Sequence, residues 1–222
     1  MALLTIAPAC AFGQTSNVDQ LKDAAYAGQP QAQFRLATYY RDGSNGLPKD
    51  AGKAFDWFQQ AAAKCYAPAQ DAVGVAYLTG SGPQSDLRNA ARYFRLAAAQ
   101  HNPQGLFHLA QAFFDNRAYA QDADEDSRSA PGCPTLKLAT ASIGVQLHAD
   151  DPEERAKAGF GFMQQAAQSG MADAQYAVGD ALEHGKGTKV DVKQAESWYR
   201  KAAAQGQSDA AASLSRLQSN SR

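Results

Sequence analysis

The chain has 222 residues, of which 45% are hydrophobic, and its 21 basic and 22 acidic side chains leave a formal net charge of −1. This composition is typical of a folded protein, either one or two ordinary domains or one elongated array. No basic stripe or aromatic-interleaved basic cluster occurs, so we expect no nucleic-acid partner. No run approaches the roughly 18 to 20 apolar residues of a membrane-spanning helix, so no span is predicted.

The N-terminal stretch MALLTIAPACAFGQTSN is apolar as far as Phe12 and then turns polar. Its small residues Ala9, Cys10 and Ala11 form an A-x-A pattern of the kind found at signal-peptide cleavage sites, although no Lys or Arg precedes the apolar run. The pattern predicts a signal peptide over residues 1–14, truncated at its start, and a periplasmic or secreted protein. Two alternatives stay open, a lipid anchor at Cys10 and an untargeted N-terminus.

Cleavage after Ala11 would leave two cysteines, Cys65 and Cys133. An even number of cysteines in an oxidising compartment permits a disulfide between them. Cys65 ends a predicted helical hairpin, whereas Cys133 lies in the least regular part of the chain. Two free, half-buried thiols therefore explain the sequence at least as well as a bridge.

A helical hairpin recurs along the rest of the chain. After a half-unit at Val18–Gly28, the small residue that starts each first helix returns at an interval of 34 to 37 residues, and this period predicts a solenoid of two-helix units. The recurring positions are Ala32, Ala69, Gly105, Ala139, Ala174 and Ala210. Asp50, Asp86 and Asp191 each stand four residues before a second-helix alanine, where we expect N-caps rather than catalytic acids.

The third unit is the irregular one. Its first helix is predicted over residues 105–116, but residues 117–134 (RAYAQDADEDSRSAPGCP) bring prolines and a glycine to the place where other units have alanine-rich turns. We expect a loop or a short helix there. The acidic cluster in this segment lacks the glycine and the distal glutamate of a helix-loop-helix calcium site, so no metal site is predicted.

The unit at 174–206 shows the repeated string most clearly, with small residues, a G-x-G loop, an aspartate and an aromatic pair at fixed spacing. Its matching residues are Ala174, Val178, Gly179, Leu182, Gly185, Gly187, Asp191, Ala195, Trp198, Tyr199, Ala202, Ala203 and Gly206. This string resembles the Sel-one-like repeat, a relative of the tetratricopeptide repeat, and the resemblance covers roughly residues 17 to 218 of the 15–222 solenoid. It implies an all-α, right-handed superhelical solenoid of about five units with terminal half-units.

Packing within this solenoid can be predicted from the same repeat. The small residue after the core aliphatic of each first helix should let the paired helices approach closely. These small residues are Ala37, Gly74, Ala110, Gly144 and Gly179. The aromatics of the second helices, Trp57, Tyr93, Phe162 and Trp198, are expected to fill the space between neighbouring pairs rather than to form a ligand cage.

No motif for catalysis, cofactor or metal binding stands out. The strings G-x-S-x-G, H-E-x-x-H, G-x-x-x-x-G-K-[ST] and G-x-G-x-x-G are absent, as is the S-x-x-K of serine enzymes that act on beta-lactams. The four histidines, His101, His108, His148 and His184, fall in different units without paired spacing, so each is predicted to be a surface or loop residue. We therefore predict no catalytic residue, cofactor or metal.

Function is predicted in the groove of the superhelix, because the resemblance implies that the first helices line its concave side. Their third, seventh and tenth positions form a row that is unusually apolar for a solvated face, and such a patch commonly marks a partner site. The predicted partner-binding residues are Phe34, Arg41, Leu78, Phe107, Gln111, Phe114, His148, Tyr176, Asp180 and Glu183. The alternative is that the curvature of a short solenoid buries this row against the adjacent unit.

Two functional hypotheses follow from these observations. The leading hypothesis is an exported, non-catalytic adaptor that holds a protein or peptide segment along the concave face. The alternative is a cell-wall or beta-lactam related hydrolase with its site near residues 117–134. The sequence predicts neither the identity of the partner nor the oligomeric state.

Overall fold

The computed structural model describes residues 17–115, Cys133 and residues 151–220, and within these ranges all regular structure is helical. We number the helices in chain order. They are α1 (Asn17–Tyr26), α2 (Pro30–Asp42), α3 (Ala51–Ala62), α4 (Ala67–Thr79), α5 (Leu87–Ala98), α6 (Pro103–Phe114), α7 (Pro152–Gln168), α8 (Ala172–His184), α9 (Val192–Ala204) and α10 (Ser208–Asn220).

Local sequence signals set the ends of these helices. The carboxylates of Asp50, Asp86 and Asp191 accept hydrogen bonds from backbone N–H groups of α3, α5 and α9, which confirms them as N-caps. At the other end, α4 and α8 stop at Gly80 and Gly185, whose φ values of 70° and 73° lie in the left-handed region that glycine adopts without strain.

The helices pack as consecutive antiparallel pairs, α2 with α3, α4 with α5, α6 with α7 and α8 with α9, flanked by α1 and α10. The third pair differs from the prediction. The partner of α6 is α7, which begins at Pro152, and the two helices bring the Phe113 and Phe162 rings to 5.6 Å between centroids. The described ranges therefore hold four pairs rather than five. The predicted loop at 117–134, apart from Cys133, and the unit predicted to start at Ala139 lie outside them.

Close approach within a pair depends on the predicted small residues. A Cβ atom added to Gly74 would lie 2.6 Å from the Phe94 ring, and one added to Gly179 would lie 2.6 Å from the Tyr199 ring. The prediction for these two glycines is therefore confirmed. Of the predicted aromatics Phe162 is fully buried, whereas Trp57, Tyr93 and Trp198 are only partly buried because the next residue in each helix occupies the core.

A disulfide joins Cys65 to Cys133, with the two Cα atoms 5.3 Å apart. This resolves the alternative left open by the sequence in favour of a bridge. Cys65 forms the tight turn between α3 and α4 with φ 59°, at a position where Gly28, Gly170 and Gly206 occur in other turns. The turn therefore carries a thiol where most units carry no side chain, and that thiol attaches residue 133 to the start of the second pair.

Candidate binding cavity

A cavity of about 660 Å³ opens along one face of α4. Residues of α4 at helical spacing form its floor, α2 and α3 form one wall, and α6 with the turn before it forms the other. The floor consists of Pro68, Asp71, Ala72, Val75, Ala76 and Thr79; the walls consist of Phe34, Arg41, Ala51, Ala54, Phe55, Phe58, Ser81, Asn102, Gln104 and His108. Because three successive pairs contribute, the cavity exists only when the units are stacked.

The wall formed by α2 and α3 is apolar and held in place by ring contacts. The Phe34 ring lies 5.4 Å from the Phe58 ring and 5.5 Å from the Tyr66 ring, and the Phe55 ring meets Tyr77 edge-on at 5.4 Å. Aromatic pairs at such distances prefer defined orientations, so these side chains form a firm wall. An apolar cavity of this size is typical of ligand-binding sites.

The wall on the α6 side carries a polar pair. The Nδ1 atom of His108 lies 2.7 Å from the Oδ1 atom of Asp71 on α4, and the Phe94 ring lies 5.0 Å from the imidazole. The side chains retain 25% and 11% of their accessible surface, respectively, so both are largely buried. The contact fixes the orientation of the imidazole in the cavity wall. This position of His108 corrects the prediction that every histidine is a surface or loop residue.

The far end of the cavity, near the C-terminus of α2, is polar in a different way. The Arg41 guanidinium donates hydrogen bonds of 2.8 and 3.1 Å to the carboxylate of Asp42. This contact holds the pKa of the Asp42 carboxyl below its ordinary value. The Thr79 hydroxyl lies within hydrogen-bond distance of two acceptors, the Val75 carbonyl oxygen at 2.9 Å and the Ser81 hydroxyl at 2.8 Å. The cavity thus has a polar group at each end and an apolar middle.

The predicted partner-binding residues divide into several groups. Phe34 and Arg41 line the cavity. Four others are partly buried against the main core: Leu78, Phe107, Phe114 and Tyr176. For these four the structure favours the alternative in which the row packs against neighbouring helices. Gln111 is exposed. His148 lies outside the described residues.

The last two predicted residues, Asp180 and Glu183, serve contacts within the chain. Asp180 pairs with His184 at 3.0 Å and with Lys186 at 2.7 Å. Glu183 accepts hydrogen bonds of 2.6 and 2.8 Å from Arg216 of α10 and one of 2.9 Å from the Tyr199 hydroxyl. These donors, Arg216 first, lower the pKa of the Glu183 carboxyl. Both carboxylates therefore hold α8 and its neighbours together.

Sequence reasoning missed the pairing of Asp71 with His108. The two residues are 37 positions apart, close to one repeat, and residues one period apart lie side by side on adjacent first helices. An acid and a histidine at that spacing are the signal that could have found the pair. No described group of three or more His, Cys, Asp and Glu side chains is arranged to hold a metal ion, and no described helix has the length and apolar character needed to cross a bilayer.

The stacked pairs and the groove between them define a helical-repeat protein of the solenoid class. The family comparison agrees, because residues 30–64, 67–102 and 172–207 match the Sel1 repeat. The chain is a Sel1-repeat protein. The matched segments correspond to the pairs α2/α3, α4/α5 and α8/α9.

Solved structures of similar fold include two bacterial proteins of this kind. One is c5321, a protective antigen of uropathogenic Escherichia coli, with a TM-score of 0.71 and 26% identity over 92% of this chain and 37% of that one. The other is a Sel1 repeat protein of Oxalobacter formigenes, with a TM-score of 0.66 and 26% identity over 90% of this chain and 48% of that one.

Two fungal proteins are similar in sequence. Chitin synthase regulatory factor 3 of Schizosaccharomyces pombe is 25% identical over 91% of this chain, and chitin synthase regulator SKT5 of Saccharomyces cerevisiae is 28% identical over 84%. The match covers only 23% and 29% of those proteins, so this chain corresponds to about a quarter of their length.

Proposed function

We propose that the chain is an exported, non-catalytic adaptor that binds a segment of a partner protein in the cavity along α4. The observation that carries this proposal is the 660 Å³ cavity itself, which has aromatic walls and spans three stacked pairs. An extended segment that enters it would bury apolar side chains against Phe34 and Phe58. The names of the fungal relatives, which describe regulators, support a binding role rather than a catalytic one.

The disulfide and the N-terminal sequence support export. Disulfides form and persist in oxidising compartments, and the Cys65–Cys133 bridge is of that kind. The Ala9-Cys10-Ala11 pattern supplies a route to such a compartment. Intact-mass measurement on protein from the native host should find a chain that begins between residues 12 and 15 and lacks two hydrogens relative to its reduced form. A full-length, reduced chain in the cytoplasm would contradict export.

The test of binding uses a variant that fills the cavity without removing core atoms. Ala72 lines the floor, and its counterpart in the fourth pair, Ala177, lies outside the cavity. Ala72→Arg should block the cavity, while Ala177→Arg places the same side chain at the matching position of another helix. Arginine is a good helix former, so neither change should disturb its helix.

Random dodecapeptides displayed on phage would be selected on the immobilised full chain, and fluorescence anisotropy would then give the Kd of each selected peptide. We expect peptides that bind the wild-type chain and Ala177→Arg alike and lose at least tenfold in affinity for Ala72→Arg. If no peptide is enriched, or if Ala72→Arg binds as well as the wild type, the proposed function is wrong.

A further inference from the structure

Asp71 is the most unusual residue in the cavity, because it is acidic, its side chain retains only 11% of its accessible surface, and its neighbours on this face of α4 are mostly apolar. An ionised carboxylate accepts about four hydrogen bonds, and burying it is costly unless they are made. Within the described part of the chain Asp71 has one partner, the Nδ1 atom of His108 at 2.7 Å. Its second oxygen is left to whatever occupies the cavity.

Among the described residues that line the cavity, Arg41 is the basic side chain besides His108, and it is paired with Asp42 rather than with Asp71. Arg41 has the same repeat position as Leu78, and Leu78 follows Asp71 by seven residues, about 10 Å along the helix axis. The nearby Asn102 is also engaged, since its side-chain oxygen caps α6 by accepting the Gly105 N–H at 2.9 Å. Neither Asn102 nor Gln104, the other polar side chains of this wall, donates to Asp71 within the described residues, so the second oxygen of Asp71 can accept from a bound ligand.

The apolar surface beside Asp71 defines what kind of donor fits. Phe34, Ala72 and Val75 line the same cavity as Asp71. A long basic side chain covers apolar surface with its methylene stem while its charged head reaches a polar partner. An uncharged donor such as a serine hydroxyl would satisfy the oxygen but would bring no charge opposite to that of Asp71.

We propose that the cavity recognises a lysine or arginine side chain of the partner segment, with its stem against Phe34 and Val75 and its charged head at Asp71. This inference rests on the proposed function, since it names the chemistry of the segment that the cavity binds. His108 is a positioning residue in this arrangement, because its contact with one carboxylate oxygen holds the other in place for the incoming cation.

The test uses three acetylated, amidated hexapeptides of identical apolar sequence that differ at one central position, which is lysine, norleucine or glutamate. Each is titrated into the full, oxidised chain labelled with ¹⁵N, and amide shifts of α4 report binding. The variants are Asp71→Asn and, as a control that removes the same charge from another first helix, Asp180→Asn. Ala72→Lys is the second test variant, because it keeps Asp71 and places a competing ammonium in the cavity.

We expect the lysine peptide to bind the wild-type chain and Asp180→Asn at least tenfold more tightly than the norleucine peptide. That preference should disappear in Asp71→Asn and in Ala72→Lys. If norleucine and lysine peptides shift α4 equally in the wild type, or if the lysine preference survives both cavity variants, the inference is wrong while the proposed function stands. If none of the three peptides shifts α4, the proposed function itself fails.

Discussion

The side-chain amide of Gln100 donates a 2.7 Å hydrogen bond to the amide oxygen of Gln70. The amide nitrogen of Gln70 in turn lies 3.3 Å from the carbonyl oxygen of Ala62, so one buried glutamine links the end of α3 to the end of α5. The fourth pair repeats this arrangement, with Gln205 donating to Gln175 at 2.8 Å. The glutamine at the second position of a first helix is therefore a structural bridge between successive units.

The first pair lacks one member of this bridge. Gln33 donates to the Ala25 carbonyl at 3.1 Å, but its Oε1 atom is buried without a hydrogen-bond partner in the described structure. The residue before the turn is Lys64 here, where the second and fourth pairs have Gln100 and Gln205, and its ammonium donates to the Gly28 carbonyl instead. Lys64→Gln should supply the missing donor and raise the free energy of unfolding by about 1 kcal/mol, measured by chemical denaturation.

Two matched variants check this explanation. Gln100→Lys makes the reverse exchange and should lower the free energy of unfolding by about 1 to 3 kcal/mol, because it leaves the Gln70 amide oxygen without its donor. In a Gln33→Leu background Lys64→Gln should give no gain. A gain of the same size in that background would mean that the effect does not pass through Gln33.

A second prediction concerns helix approach in the second pair. Gly74→Ala should lower the free energy of unfolding by about 1 to 3 kcal/mol, because its methyl group would overlap the Phe94 ring at 2.6 Å. At Gly161, inside α7, a new methyl group would have no atom of another described element within 4 Å, so Gly161→Ala should gain about 0.5 to 1 kcal/mol through helix propensity. Relative to the wild type, the melting temperature should fall for Gly74→Ala and rise for Gly161→Ala. If both temperatures change in the same direction, the packing argument is contradicted.

The disulfide gives a third prediction. It closes a loop between residues 68 positions apart, which restricts the unfolded chain. Cys65→Ser should therefore lower the free energy of unfolding by about 2 to 4 kcal/mol. Cys133→Ser should have a similar effect. Adding reductant should lower the free energy of unfolding of the wild type and leave that of both variants unchanged. A wild-type melt that is insensitive to reductant would show that the bridge adds no stability.

The contact between Glu183 and Arg216 gives a pH-dependent prediction. The folded protein holds the pKa of the Glu183 carboxyl below its ordinary value of 4.5, chiefly through the hydrogen bonds from Arg216. The ionised Glu183 carboxylate therefore contributes its full stabilisation at pH values above the ordinary pKa. That stabilisation is lost as the pH falls through the lowered pKa of the folded state. Glu183→Gln should be less stable than the wild type near pH 7, and the difference should shrink toward pH 3.

The control for the acid titration is Glu196→Gln, which breaks the exposed pair that Glu196 forms with Arg200 on the surface of α9. Exposed pairs of this kind contribute little to stability, so its melting curves should follow the wild type at every pH. Hydrogen exchange should also show that Glu183→Gln loosens α10, which carries Arg216. Unchanged protection of α10 would contradict the role given to this contact.

Local and periodic features of the fold could be predicted from the sequence. The N-caps at Asp50, Asp86 and Asp191 depend on a few neighbouring residues, and the close approach at Gly74 and Gly179 depends on a pattern that recurs with the period. Both predictions are confirmed by the structure. The pairing of α6 with α7 could not be predicted, because the two helices are separated by 37 residues in the chain, whereas the repeat pattern pairs helices that follow each other after a short turn.

The site could be predicted only in part, for a similar reason. Phe34 and Arg41 belong to the predicted groove row, and both line the cavity. Position in the row did not reveal that Glu183 is already bonded to Arg216, because the donor comes from the last helix. Nor did it reveal His108, which stands one position outside the row and acquires its role from Asp71 on the preceding first helix.

The disulfide also has a topological consequence for the cavity. Asp71 and His108 both lie between Cys65 and Cys133 in the chain, so the bridge encloses them in one covalent ring. A protease that cuts a single peptide bond between Asp71 and His108 leaves two fragments, one with each residue, that remain joined through the disulfide. A nicked but oxidised chain therefore keeps both halves of the site on one molecule, whereas reduction after the same cut separates them.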